Sequence, residues 1–219
     1  MRSVLAIVSL VFLLLTEPSS AQTHTPTCAS VDEVVRTTRQ VVDAAQSRAA
    51  EARQVERRAQ EALERARRGE PGTRVERTFD RSYQGEWANN ARNGLGQAQV
   101  TMGANVGEYF IGTFQNNNPH GLGVEGGWIN GMRWTYRGDF GDALRHGLGV
   151  LEHADGTGWA GEYRAGNVLG RAEIRLPGGG RYLGEVVNAQ PNGLGALFEN
   201  GNVIRGRWAN SELSSECTG

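Results

Sequence analysis

The chain contains no lysine; all 23 of its basic residues are arginine. That removes a P-loop lysine, a Schiff-base lysine and a lysine general base together. The formal net charge of -1 leaves no basic surplus to face a phosphate backbone, so nucleic acid is not an expected partner. From Tyr83 to Asn210 there is no Ser, Cys or Lys. A nucleophile there would have to be Thr or a carboxylate, with no supporting triad in sight, and neither an enzyme nor a cofactor is expected. The stretch Gly121-Leu122-Gly123-Val124-Glu125-Gly126 matches the G-x-G-x-x-G pattern of dinucleotide turns. The pattern requires a helix to follow, and Gly127 and Gly131 forbid one at roughly 1 kcal/mol each. His120 and His146 hold equivalent slots two strands apart, with His153 nearby; strands about 4.8 Å apart put such ligands beyond the reach of one ion.

Long apolar runs are also scarce. Val4 to Leu15 follows Arg2 and precedes Ser19-Ser20-Ala21, the order of charge, core and cleavage site in a secretory signal peptide. The run is too short to span a bilayer. The expectation is a signal peptide over 1–21 cleaved after Ala21, a short mature segment over 22–29, and a secreted or periplasmic protein. There are only two cysteines, Cys28 and Cys217. In an oxidising compartment they are expected to pair, while an intermolecular bridge or two unrelated thiols stay open because spacing does not fix connectivity.

Glycine and proline are absent from Ser30 to Arg68, where Ala, Glu, Gln and Arg dominate. This predicts one long helix over 30–68. Ser30 and Glu33 form a capping box, Asp32 adds charge to the first turn, and Arg65, Arg67 and Arg68 complement the macrodipole. Val31, Val34, Val35, Val41, Val42, Ala45, Ala49, Ala52, Val55, Ala59, Ala62, Leu63 and Ala66 fall three or four apart as one narrow, Ala-rich stripe. It needs a close-packed partner, either a coiled-coil mate or the rest of this chain; a seam with one Leu argues against a strong autonomous coiled coil. A linker over 69–82 follows.

All but three of the 31 glycines (Gly69, Gly72 and Gly219) lie between Tyr83 and Asn210, among aromatics and Asn. Aligned, the segments show a period in the low twenties. Tyr83-x-Gly85-x-Trp87, Phe110-x-Gly112-x-Phe114, Tyr136-x-Gly138-x-Phe140, Trp159-x-Gly161-x-Tyr163, Tyr182-x-Gly184-x-Val186 and the partial Ile204-x-Gly206-x-Trp208 each open a unit. Nine residues after the first glycine of the five full units come Gly94, Gly121, Gly147, Gly170 and Gly193. Four of these continue to Gly96, Gly123, Gly149 and Gly195, and the fourth unit has Ala172 instead. A period-two alternation puts both aromatics and the Gly on one strand face, and Asn- and Gly-rich turns join the strands. Each unit reads as a β-hairpin. The whole is predicted to be a mainly β protein with one long helix: a single-layer antiparallel meander of ten to twelve strands over 83–210, with a tail over 211–219.

These units resemble MORN (membrane occupation and recognition nexus) repeats, whose pattern is Tyr-x-Gly-x-Trp-x-x-Gly-x-x-x-Gly-x-Gly followed by an Asp/Asn-Gly turn. The resemblance covers Tyr83 to about Asn210. Asn90, Asn117 and Ala143 replace the middle Gly, and the first two units carry three or four extra residues. What the resemblance implies is an elongated twisted sheet serving as a scaffold, for self-association or for partner contact, with phospholipid as an alternative ligand. Glu86, Asp139, Glu162 and Glu185 should form a carboxylate row on the face opposite the rings, either a solvated surface or the candidate interaction face. From Tyr83 to Gly219, ten Arg face thirteen Asp and Glu, the wrong sign for anionic headgroups; Arg53 to Arg81 is the better membrane candidate. Trp128, Trp134 and Trp159 could stack sugars in a cell-wall or glycan reading. A helix of roughly 58 Å matches a sheet about 50 Å across. It is expected to fold back with its Ala stripe on the aromatic face, bringing Cys28 to Cys217 and leaving the carboxylate face to partners. The competing arrangement is a helix projecting into an intermolecular coiled coil.

Overall fold

The structure, a computed structural model, describes residues 25–219. The segment 1–21, expected to be a signal peptide, lies outside the described residues. Helix α1 spans Cys28–Arg67. Its N-cap is Thr27, whose side-chain oxygen accepts the Ser30 N–H at 3.2 Å. The expected Ser30–Glu33 capping box is therefore corrected: Ser30 already lies inside the helix, and the Glu33 carboxylate instead takes the Arg36 guanidinium at 2.9 Å. The early start follows from the anchoring of Thr27, which bridges Thr218 in parallel. At the other end Gly69, at φ 71°, closes a Schellman turn in which its N–H donates to Ala66 O and that of Glu70 to Arg65 O.

Thirteen strands follow in one antiparallel sheet, paired in chain order. They are β1 (Thr73–Arg77), β2 (Arg81–Ala88), β3 (Ala91–Val100), β4 (Tyr109–Gln115), β5 (Asn118–Ile129), β6 (Met132–Gly141), β7 (Leu144–His153), β8 (Gly158–Arg164), β9 (Asn167–Arg175), β10 (Arg181–Val187), β11 (Gln190–Glu199), β12 (Asn202–Ala209) and β13 (Glu212–Glu216). Two of these correct the expected boundaries: β1 lies in the linker 69–82 and β13 in the tail 211–219. Neither carries the repeat pattern. Each adds a short, polar edge strand to the array, the usual protection of an open sheet edge. Within each repeat the turn residues sit at positive φ, as in Asn89-Asn90 (53°, 57°) and Asn188-Ala189 (49°, 63°), which is what a tight hairpin turn compatible with strand twist requires.

The register lines up the repeat glycines across the sheet. Gly85, Gly96, Gly112, Gly123, Gly138, Gly149, Gly161, Ala172, Gly184, Gly195 and Gly206 are successive Cα partners. The result is a furrow of nearly bare backbone crossing eleven strands. Rings lie in it. A Cβ on Gly96 would stand 2.7 Å from Tyr83 Cε2, and one on Gly149 only 2.6 Å from the same atom of Tyr136. The rings also pack edge to face in sequence: Tyr83 on Phe114 at 5.1 Å, Phe110 on Phe140 at 4.8 Å, Tyr136 on Tyr163 at 4.8 Å and Tyr182 on Trp208 at 5.5 Å. Ala172 fits the furrow because Trp159, the ring of that unit, turns its indole Nε1 to the Ala189 carbonyl at 3.0 Å. A bulge after the furrow glycine in each full hairpin bends the strand pair. This is how the ladder stays buried with no second layer over it.

The helix covers the other face. Val31, Val35, Val42, Ala45 and Ala49 pack on Val150, Ala160, Leu183 and Ala196; Ala59 and Leu63 pack on Ile111. The expected seat on the aromatic face is thus overturned. The rings bury themselves in the furrow and on one another, and the remaining apolar face is the one that needs a lid. The expected direction of folding back holds. Asp32 meets Arg205 at 2.9 Å, Arg67 meets Gln84 at 3.2 Å, and Cys28 and Cys217 form an intrachain disulfide with Cα atoms 4.9 Å apart. Among the described residues the helix does not project: its stripe is packed on this chain's own strands.

Candidate interaction surface

The carboxylate row lies on the face opposite the rings, and that is the helix face. Each acid stands in its hairpin's bulge, where the register shift leaves a backbone N–H without a ladder partner. Glu86 Oε2 accepts the Leu95 N–H at 2.7 Å, Asp139 Oδ2 that of Leu148 at 3.0 Å, and Glu185 Oε2 that of Leu194 at 2.7 Å. In the second unit Thr113 holds the slot and donates to the carbonyls of His120 and Leu122. The helix then adds cations. Arg48 Nη2 lies 2.7 Å from Asp139 Oδ1, and Arg65 Nη1 lies 3.3 Å from Glu86 Oε1. Glu86 and Asp139 are therefore removed from any open partner-binding face; their carboxylates satisfy bulge amides and dock the helix. Glu162 and Glu185 make no salt bridge among the described residues and line a shallow cleft with Leu169 and Val187.

Exposed apolar side chains gather elsewhere. Phe79 is 83% exposed, Trp128 61%, and Val106, Ile129 and Met102 are about half exposed. They belong to neighbouring connections at one end of the sheet: 78–80, 101–108 and the tip of the β5–β6 hairpin. Thr101 N–H donates to Asp80 O at 2.7 Å, and a Cβ on Gly107 would lie 3.9 Å from Trp128 Cδ1. These segments include the residues by which the first two units exceed the repeat period. The extra length, read from sequence as an irregularity, builds an apolar rim.

The other candidates are absorbed into the fold. Arg145 stacks on Trp134 with its guanidinium carbon 4.8 Å from the ring centre, and Trp159 is committed to Ala189, so of the three tryptophans considered for sugars only Trp128 presents a free ring. His153 Nδ1 lies 2.9 Å from Thr157 Oγ1 and meets Trp159 edge to face. The described residues hold no cluster of three potential metal ligands. Among them no helix is long and apolar enough to cross a membrane. Burial pushes the phenols of Tyr83, Tyr136, Tyr163 and Tyr182 far above their ordinary value, consistent with packing roles for all four.

Compared with known proteins, the chain matches the family model of the MORN repeat over residues 83–99, 110–125 and 136–158. No curated protein matches it. The units opening at Trp159 and Tyr182 lie outside those matches and share their hairpin, bulge and register.

Proposed function

Taking as premise that the sheet of this chain carries MORN repeats, we propose that the protein is an exported, non-enzymatic scaffold that mediates protein–protein contact or self-association in the cell envelope. MORN repeats are in general modules of protein or membrane interaction. The observation that carries the reading is the rim of Phe79, Met102, Val106, Trp128 and Ile129, exposed apolar side chains on neighbouring connections of an array whose faces carry its own helix and rings. The disulfide is compatible with an oxidising compartment. A pull-down with the disulfide-bonded protein from envelope extract, repeated with Phe79→Ser/Trp128→Ser, tests this. Partners should be captured by the native chain and lost with the variant. Equal capture by both would refute the role of the rim.

A second reading, attachment to a phospholipid surface, draws on the same tips, because an exposed Phe and Trp beside Arg77, Arg81 and Arg133 suit an anionic interface. Co-sedimentation with vesicles of anionic and neutral lipid distinguishes it.

A further inference from the structure

The ring ladder is covered in a regular way, except at one ring. Over Tyr83 lies Arg92, 5.0 Å from the ring centre and held by Glu76 at 2.7 Å. Over Tyr136 lies Arg145, at 5.2 Å and held by Glu125 at 2.8 Å. The acid in each pair stands on the preceding strand opposite the ring, as Glu76↔Tyr83 and Glu125↔Tyr136. The Arg stands on the following strand opposite the unit's second aromatic, as Trp87↔Arg92 and Phe140↔Arg145. At Phe110 the two corresponding positions are Ala98 and Pro119. Both members of the pair are missing. The later units fill these positions with aliphatic side chains, Leu151 and Val168 at Trp159, Ile174 and Pro191 at Tyr182. Only the second unit has nothing larger than Ala and Pro there, and a cleft of about 290 Å³ reaches Phe110 and Phe114, which are 6% and 4% exposed.

Charge decides what the cleft takes. Of the ionic groups lining it, Arg92 is bound to Glu76, Glu125 to Arg145, and Arg81 has Asp80 beside it at 3.8 Å. Glu108 has no salt bridge among the described residues. The uncompensated charge is negative, and the floor is aromatic. We propose that this cleft is a binding site for an arginine side chain of a partner protein, whose guanidinium stacks over Phe110 and pairs with Glu108, supplying from outside the cation that Arg92 and Arg145 supply to the neighbouring rings. The exposed Met102 and Val106, on the connection that ends at Glu108, give the residues flanking that arginine an apolar ledge. The inference rests on the scaffold reading only in that the cation comes from a protein.

The test uses the full disulfide-bonded chain and acetyl-Gly-Arg-Gly-amide as probe, titrated by NMR, with citrulline and norleucine analogues in place of arginine. The expected result is saturable shifts at Phe110, Glu108 and Asn117, with both analogues weaker by about tenfold or more. Glu108→Gln should weaken the arginine peptide by a similar factor. Ala98→Leu, which installs the side chain native at 151 and 197, should abolish binding while the chain stays folded by circular dichroism. Equal affinity for citrulline or norleucine, undiminished binding to Ala98→Leu, or shifts confined to the rim would each overturn the proposal; none of these would alter the rim pull-down.

Discussion

Gly149→Ala tests the furrow directly. The new Cβ would stand 2.5 Å from Tyr136 Cζ and 2.6 Å from Cε2, where real Cβ atoms essentially never come. The ring cannot retreat. Tyr136 is fully buried, held edge to face by Phe140 at 5.2 Å and Tyr163 at 4.8 Å, and its hydroxyl donates to Asp139 O at 3.0 Å. Overpacking costs ~1–3 kcal/mol, and losing the phenol hydrogen bond adds ~1 kcal/mol, for a total of ~2–4 kcal/mol. The furrow backbone itself tolerates a methyl, because Ala172 occupies the same row where the ring points elsewhere. The penalty should therefore depend on the ring: combining Gly149→Ala with Tyr136→Leu should show a coupling of ~1–2 kcal/mol in a double-mutant cycle. Urea unfolding followed by circular dichroism measures all four proteins. A single-variant cost under ~0.5 kcal/mol, or additive effects, would refute the account of why glycine fills this row.

Reducing Cys28–Cys217, which closes 189 residues of sequence separation, should cost ~5 kcal/mol in the chain-entropy description. A guanidinium midpoint unmoved by dithiothreitol would contradict it, as would disulfide-linked dimers in non-reducing mass spectrometry. Ala189→Gly relieves an alanine at φ 63° and should raise stability by ~0.5–1 kcal/mol, read as a higher melting temperature; a lower one would show that the turn is not strained. The four buried tyrosines have folded-state pKa values raised above the ordinary 10.0, so the stability they confer is complete below that value and is lost as pH rises past it. Tyrosinate absorbance should appear together with loss of β circular dichroism, and ionisation of these phenols in a still-folded sheet would count against their burial.

The repeat was legible because Tyr83-x-Gly85-x-Trp87 and its copies state strand, face and register at once. The pairing of the cysteines was legible too, since a helix and a sheet of similar span leave Cys28 beside the last strand. The helix face was not. Both sheet faces carry apolar residues, Tyr136 and Phe140 on one and Val150 and Ala160 on the other, and nothing in a period-two pattern says that the rings cover themselves. The bulges decide that, and their signal was available: Gly85↔Gly96 puts Glu86 and Leu95 on neighbouring sites, where an acid beside an extra residue can cap a stranded amide. Strands β1 and β13 escaped because they lie outside the repeat and owe their conformation to the edge they pair with, not to their own five residues.

The bond between Cys28 and Cys217 also makes the backbone between them a covalent circle. A single cut in the Thr101–Glu108 connection would release no fragment; the two pieces would stay joined through the disulfide, with new termini at the cut. The ends of the folded body are thus a matter of where the circle is broken. The protein is preadapted to circular permutation, with the apolar rim as one place where the chain could begin.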